Sequence, residues 1–84
     1  MDKREIYHII NELQQKKNKF NDQSDLFKDL GFDSLTFIEL IATIEERSGI
    51  NFDEINIFEE NCSKVGNLCD FIIKTLREQQ EITQ

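Results

Sequence analysis

The chain contains no proline and only three glycines in 84 residues, so few positions force a helix to break. It also lacks the alternating, valine- and threonine-rich runs that are typical of β-strands. Leucine, isoleucine, glutamate, lysine and glutamine are abundant instead, a composition that favours helices. We therefore predict an all-α fold, and the length is enough for one small domain.

Cysteine and histidine are also scarce, which leaves little material for a metal site or a nucleophilic dyad. Cys62 and Cys69 are separated by about 10 Å along a helix, at 1.5 Å per residue, which is too far for a disulfide. We expect both thiols to be reduced and buried. His8 is the only histidine, so we predict no metal site. A hydrolase elbow and an EF-hand calcium loop are absent from the sequence as well.

No hydrophobic run is long enough to cross a membrane, and the N-terminus lacks the apolar core of a signal peptide. We therefore expect a cytoplasmic protein that does not bind membranes. The net charge of −7 is concentrated in residues 22–60, where eleven acidic residues stand against two basic ones. A field of this sign repels nucleic acid and attracts basic protein surfaces. Simple solubility is the alternative meaning of this charge.

Apolar residues at helical spacing predict the first two helices. The first covers about residues 3–17. The second runs from about Ser34 to Arg47, with Asp33 as its N-cap and Gly49 as its stop. We expect the loop between them to pack onto the helices through four apolar residues: Phe20, Leu26, Phe27 and Leu30.

The rest of the chain predicts two further helices. Asn56 followed by Glu59 is typical of a capping box, which places a short third helix near residues 56–61. Ser63 is positioned to cap a last helix, whose apolar stripe runs from Val65 to Leu76.

Each predicted helix has a single apolar stripe, so the helices must pack on one another. We predict a four-helix bundle with a short third helix, forming one domain over residues 1–84. Its core covers about residues 5–77, and a polar, loose tail covers about residues 79–84. We expect this domain to be a monomer.

Ser34 is the candidate functional residue. It falls in the first turn of a helix capped by Asp33, where unpaired N–H groups and the positive end of the helix dipole favour an anion. A phosphodiester on this hydroxyl would suit that end, although the Asp33 carboxylate partly opposes it. Because no base is placed in the sequence to activate Ser34, we interpret it as an acceptor for modification and predict no catalytic residue.

One face of the second helix is unusual for a solvated surface. At 100° per residue, Leu35, Glu39, Ala42 and Glu46 lie opposite the apolar stripe, and Ile38 lies at its border. An exposed leucine flanked by acidic residues indicates a docking face with an apolar centre and a charged rim. An ordinary solvated helix with one stray leucine is the alternative.

The sequence Asp33-Ser34-Leu35, preceded by Leu30-Gly31, resembles the attachment motif of the acyl carrier protein family, also called phosphopantetheine-binding domains. The resemblance continues through Ile38-Glu39-Leu40 and Glu45-Glu46. Residues 60–68 are similar to the stretch that leads into the last helix of that family. The resemblance covers about residues 5–77, in the right order and spacing.

This resemblance implies a carrier that holds acyl, aminoacyl or peptidyl intermediates as thioesters on covalent 4′-phosphopantetheine and that is not itself an enzyme. It implies that Ser34 is the attachment serine and that Asp33 assists its modification. A phosphopantetheinyl transferase would move the arm from coenzyme A, and acyl-loading and acyl-processing enzymes with basic docking surfaces would follow. The implied docking residues are Leu35, Ile38, Glu39, Ala42, Glu45 and Glu46.

Several residues depart from the family pattern. Thr36 stands where many fatty-acid carriers have an acid, Arg47 interrupts a run of acids, and Cys62 stands where related carriers often have phenylalanine. The segment between Ile50 and Val65 is also longer than in compact fatty-acid carriers. These departures indicate a dedicated carrier of a specialised pathway rather than a housekeeping one.

Two alternatives remain open from the sequence. The form Gly-Phe-Asp-Ser-Leu at residues 31–35 is closer to acyl carriers than to peptidyl or aminoacyl carriers of the nonribosomal type, which are the first alternative. The second is an unmodified helical docking module that uses the same acidic helix. The intact Ser34 argues against this module, because a retired carrier could lose the serine freely.

Overall fold

The computed structural model describes residues 1–51 and 62–82, with side chains in the last helix described as far as Glu78. Within these ranges the chain is all-α, and none of its helices is long and apolar enough to span a membrane. The short third helix predicted near residues 56–61 lies outside the described residues. The described helices are α1 (Lys3–Leu13), α2 (Ser34–Ser48) and α3 (Val65–Ile82).

The helix starts and the end of α2 follow local capping rules. The Asp2 carboxylate caps α1 by accepting the backbone N–H of Glu5 at 2.9 Å, and Asp33 caps α2 in the same way. Gly49 ends α2 in the left-handed region at φ 76°, where a residue with a side chain is strained. The span predicted from Ser34 to Arg47 is therefore confirmed to within one residue.

The first helix is shorter than the span predicted over residues 3–17. Gln14 has an extended backbone, and its buried side chain accepts the N–H of Asn18 and donates to the Asn18 carbonyl, both at 2.9 Å. Lys17 then adopts the left-handed region at φ 55°. The prediction is wrong beyond Leu13, because the Gln14 amide closes a separate turn in place of another turn of helix.

The apolar stripes of the three helices meet in one core, in which α1 packs against both α2 and α3. Cys62 and Cys69 are buried and form no disulfide, as predicted. The loop between α1 and α2 also contributes to this core. Its members from the helices are Ile6, Ile9, Ile10, Phe37, Leu40, Ile41, Ile44, Val65, Leu68, Cys69 and Ile72.

The loop of residues 14–33 packs down as predicted, but not uniformly. Leu26 and Leu30 are fully buried. Phe20 is half-buried, and its ring stacks on that of Tyr7 with 5.0 Å between centroids. Phe27 is the exception, because its side chain remains 36% exposed while its ring lies against Phe37.

The same loop is bonded to the start of α3. This helix begins at Val65, one residue later than a helix capped by Ser63 would begin, and it continues to Ile82, so the backbone of residues 79–82 is helical. Its first N–H groups donate to loop carbonyls, which satisfies donors that every helix start leaves open. The bonds measure 2.7–3.0 Å and join Leu26 N–H to the Ser63 carbonyl, Val65 N–H to the Ser24 carbonyl, and Gly66 N–H to the Asp22 carbonyl.

The side chain of Asp22 ties the loop to α1 as well. Its carboxylate accepts hydrogen bonds from the Lys3 ammonium and from the Tyr7 hydroxyl. The bond from Lys3, followed by that from Tyr7, lowers the pKa of Asp22. Asp22 therefore joins α1, the loop and α3 at one residue, since its carbonyl accepts from Gly66.

We expect Gly66→Ala to lower the free energy of unfolding by about 1–3 kcal/mol, the usual cost of overpacking. A β-carbon at this position would lie 2.8 Å from Asp22 Cβ and 3.1 Å from the Asp22 carbonyl oxygen. Urea unfolding followed by circular dichroism measures the change. Helix propensity alone predicts the opposite sign, a gain of up to about 1 kcal/mol, so a stabilised variant would contradict this close contact.

Candidate functional site around Ser34

Ser34 is the first residue of α2, and its side chain is exposed. The preceding Asp33 has an extended backbone, and its carboxylate accepts the N–H of Thr36 at 2.8 Å. Within the described part of the chain, nothing is hydrogen-bonded to the Ser34 hydroxyl. The hydroxyl is therefore open to an approaching reagent at a helix start that favours an anion.

The turn before Ser34 is fixed by the core. Gly31 adopts the left-handed region at φ 74°, which lets the chain reverse between two buried residues, Leu30 and Phe32. The Phe32 N–H donates to the Leu26 carbonyl at 2.9 Å. Because the backbone is anchored two residues before Ser34 and by the buried Phe37 three residues after it, the hydroxyl is presented on a fixed backbone.

Asp33 is held as a carboxylate by Thr36. Besides the backbone bond, the Thr36 hydroxyl donates to the same Asp33 oxygen at 2.8 Å. The bond from the Thr36 N–H, followed by that from its hydroxyl, lowers the pKa of Asp33. Both bonds occupy Asp33 at the cap of α2, so this carboxylate is a poor proton acceptor for the neighbouring serine.

The outer face of α2 is exposed where helical periodicity predicts it. Leu35 is 78% exposed and Ile38 is 48% exposed, beside exposed acidic residues. An apolar surface of this kind beside an exposed serine hydroxyl is unusual for a helix that only faces water. The structure places Glu45 at the flank as a half-buried residue, and the exposed positions are Leu35, Ile38, Glu39, Ala42 and Glu46.

Comparison with known proteins now gives the family. The family model described as "Phosphopantetheine attachment site" matches residues 6–72, which is most of the chain. The chain belongs to this family. It is also similar to a curated protein named "Acyl carrier protein" from Saccharopolyspora erythraea, with 26% identity over 78 residues, covering 87% of this chain and 80% of that protein.

The cofactor of this phosphopantetheine-attachment domain is covalent 4′-phosphopantetheine. The surroundings of Ser34 fit a group linked through a phosphodiester. The hydroxyl is exposed and free of described partners, and it stands at the N-terminal end of a 15-residue helix, where an anion is stabilised. The adjacent Asp33 carboxylate opposes the added charge, but it is occupied by two donors from Thr36.

The sequence does not predict the contacts of two residues that pack on or cap α2. Thr36 was noted only as a departure, although a hydroxyl three residues after an aspartate cap is a local signal for this kind of bond. Phe27 was expected to pack inward, yet its ring lies partly exposed, 5.6 Å from that of Phe37 between centroids. Nothing local distinguishes Phe27 from its buried neighbour Leu26.

We expect Thr36→Val to raise the pKa of Asp33 toward its ordinary range. The valine keeps the shape and the backbone bond but removes the hydroxyl that stabilises the carboxylate. Carbon-detected NMR titration of the Asp33 carboxyl measures this shift. Thr43→Val is the matched control, because the Thr43 hydroxyl donates to the Glu39 carbonyl within α2. An unchanged Asp33 titration in Thr36→Val would contradict the role of the hydroxyl.

Proposed function

We propose that this chain carries acyl intermediates as thioesters on a phosphopantetheine arm attached to Ser34. The observation that carries the proposal is the exposed Ser34 hydroxyl, without a described hydrogen-bond partner, on the first residue of α2. Membership of the phosphopantetheine-attachment family supplies the group that such a hydroxyl would accept. The name of the similar curated protein favours an acyl cargo over an aminoacyl or peptidyl one.

The chain contributes presentation rather than catalysis in this proposal. When bound, the arm supplies a terminal thiol at which a cargo is held. During attachment, the Ser34 oxygen forms the new bond to phosphorus while the phosphoanhydride bond of coenzyme A breaks and its nucleotide leaves. The hydroxyl proton passes to a base of the transferase, since among the described residues none is hydrogen-bonded to Ser34. We therefore propose that the chain is not an enzyme.

The exposed face of α2 is the proposed docking surface for partner enzymes. Leu35 supplies an apolar centre next to the attachment residue, and Glu39 and Glu46 supply negative charge along the same face. Basic partner surfaces would be attracted by this charge, which raises association rates, and the apolar contact would add affinity. The partners in this proposal are a phosphopantetheinyl transferase and enzymes that load and process the cargo.

The proposal also includes the oligomeric state, the location and the type of pathway. A monomeric single domain in the cytoplasm suits a carrier that must visit several enzymes. Thr36, Arg47 and Cys62 depart from the pattern of compact fatty-acid carriers, which favours a dedicated role in a specialised pathway. The hydrogen bond from Thr36 to Asp33 gives one of these departures a local purpose at the cap of α2.

Intact-mass analysis tests the attachment directly. We expect the wild-type chain to gain the phosphopantetheinyl mass when incubated with coenzyme A and a promiscuous transferase, because its hydroxyl is exposed. Ser34→Ala should gain none. Ser48→Ala is the control, because Ser48 lies in the same helix but donates its hydroxyl to the Ile44 carbonyl. Mass gain by Ser34→Ala would refute the site, and no gain by the wild type would favour an unmodified docking module.

The initial rate of modification against salt tests the docking surface. At low salt we expect Glu39→Lys to slow the reaction, with a smaller effect at 1 M salt, where the Debye length falls to about 3 Å. Leu35→Ala should slow it at every salt concentration, since apolar burial is not screened. Because Leu35 is 78% exposed, its truncation should change the free energy of unfolding by no more than about 0.5 kcal/mol.

Two variants serve as controls for that measurement. Glu78→Lys makes the same charge change on an exposed position of α3 and should leave the rate close to that of the wild type. Leu40→Ala truncates a fully buried leucine of α2 and should cost about 2–5 kcal/mol of stability. A wild-type rate that stays flat with salt would reduce the acidic charge to a solubility feature.

A further inference from the structure

Lys16 lies across the turn that leads to Ser34. A β-carbon placed on Gly31 would meet the Lys16 side chain at Cγ, 3.2 Å away, at Cε, 3.3 Å away, and at Cδ, 3.5 Å away. The lysine stem therefore runs along the Gly31 backbone for most of its length. Ser34 follows Gly31 by three positions, which span at most about 10 Å when the chain is extended.

The ammonium group of Lys16 has no polar partner in the described part of the chain. It forms no hydrogen bond or ion pair with residues 1–51 or 62–82, and the side chain is exposed. Lys17, by contrast, donates to the carbonyls of Asn11 and Glu12 at the end of α1. The aliphatic part of Lys16 thus packs on Gly31, at the turn before the proposed modification site. Its ammonium group has no described partner.

Two carboxylates of neighbouring residues, Asp29 and Asp33, each accept hydrogen bonds from their own turns. Asp33 accepts two hydrogen bonds from Thr36. Asp29 accepts the N–H of Asp25 at 2.7 Å through one of its oxygens. Neither carboxylate forms an ion pair with Lys16 in the described part of the chain. A new anion at Ser34 would therefore be a further partner for this lysine.

We propose that Lys16 is the counter-cation of the phosphodiester formed at Ser34, an inference that rests on the proposed attachment at that residue. Modification replaces a neutral hydroxyl with a group that carries one negative charge. Lys16 contacts Gly31, and the chain limits the distance from Gly31 to Ser34 to about 10 Å. This limit is comparable to the Debye length of about 10 Å at 0.1 M salt, so the attraction acts at low salt and is screened at high salt. Lys16 is then a positioning residue that draws the base of the arm toward the loop after α1.

Competitive lysine labelling tests this proposal without any measurement of carrier activity. Unmodified and modified protein, the latter verified by intact mass and with its arm thiol blocked by iodoacetamide, are treated with trace acetic anhydride. Peptide mass spectrometry then compares Lys16 with Lys19, an exposed lysine of the same loop. At low salt we expect modification to reduce Lys16 labelling about two-fold relative to Lys19, because an ammonium paired with an anion is less reactive. At 1 M salt this difference should disappear.

A thermodynamic cycle tests the same pairing through stability. Lys16→Met keeps a stem that can pack on Gly31 and removes the charge, and Lys19→Met makes the same change as a control. We expect modification to raise the urea midpoint more in wild type and Lys19→Met than in Lys16→Met, with the gap closing in 1 M salt. Unchanged Lys16 labelling together with equal midpoint shifts overturns the proposal. A wild-type chain that gains no mass overturns the attachment itself, and this inference with it.

Discussion

Backbone hydrogen bonds between the loop before α2 and the first residues of α3 fix the position of this loop in the domain. The carbonyls of Asp22 and Ser24 accept N–H groups of the first turn of α3, and Leu26 donates to the Ser63 carbonyl. These bonds satisfy donors that a helix start would otherwise present to water. Because they also draw Leu26 into the core, the loop is a structural layer of the domain rather than a connection between two helices.

Leu26 connects these hydrogen bonds to the candidate site. Leu26 donates its N–H to Ser63 and accepts the Phe32 N–H on its carbonyl, so two backbone bonds link the start of α3 to a position two residues before Ser34. The position of the Ser34 hydroxyl, our proposed attachment point, is therefore fixed relative to α3 as well as to α2. Such a carrier separates its two tasks, since the arm provides reach and the fixed turn provides direction for a docked partner.

The features that local sequence determines were predictable, and those that depend on distant contacts were not. The helix α2 begins after Asp33 and ends before Gly49 as predicted, because an N-cap and a left-handed C-cap residue involve only near neighbours in sequence. The exposure of Leu35 follows from helical periodicity, although its role in docking stays a prediction. The early end of α1 depends on how the Gln14 amide closes the next turn. The contact of Lys16 with Gly31 joins positions fifteen apart in the sequence, which no periodic pattern reveals.

The burial of both cysteines keeps their sulfur atoms away from the cargo that we propose. Cys62 and Cys69 lie in the core without a disulfide, and burial raises the pKa of the Cys69 thiol to about 12. The thiolate is the nucleophile in both acyl transfer and disulfide exchange. An acyl group on a tethered thiol therefore has no competing acceptor in Cys69, and the thiol itself has no disulfide partner there. A thioester on the arm is therefore protected from attack by this sulfur atom.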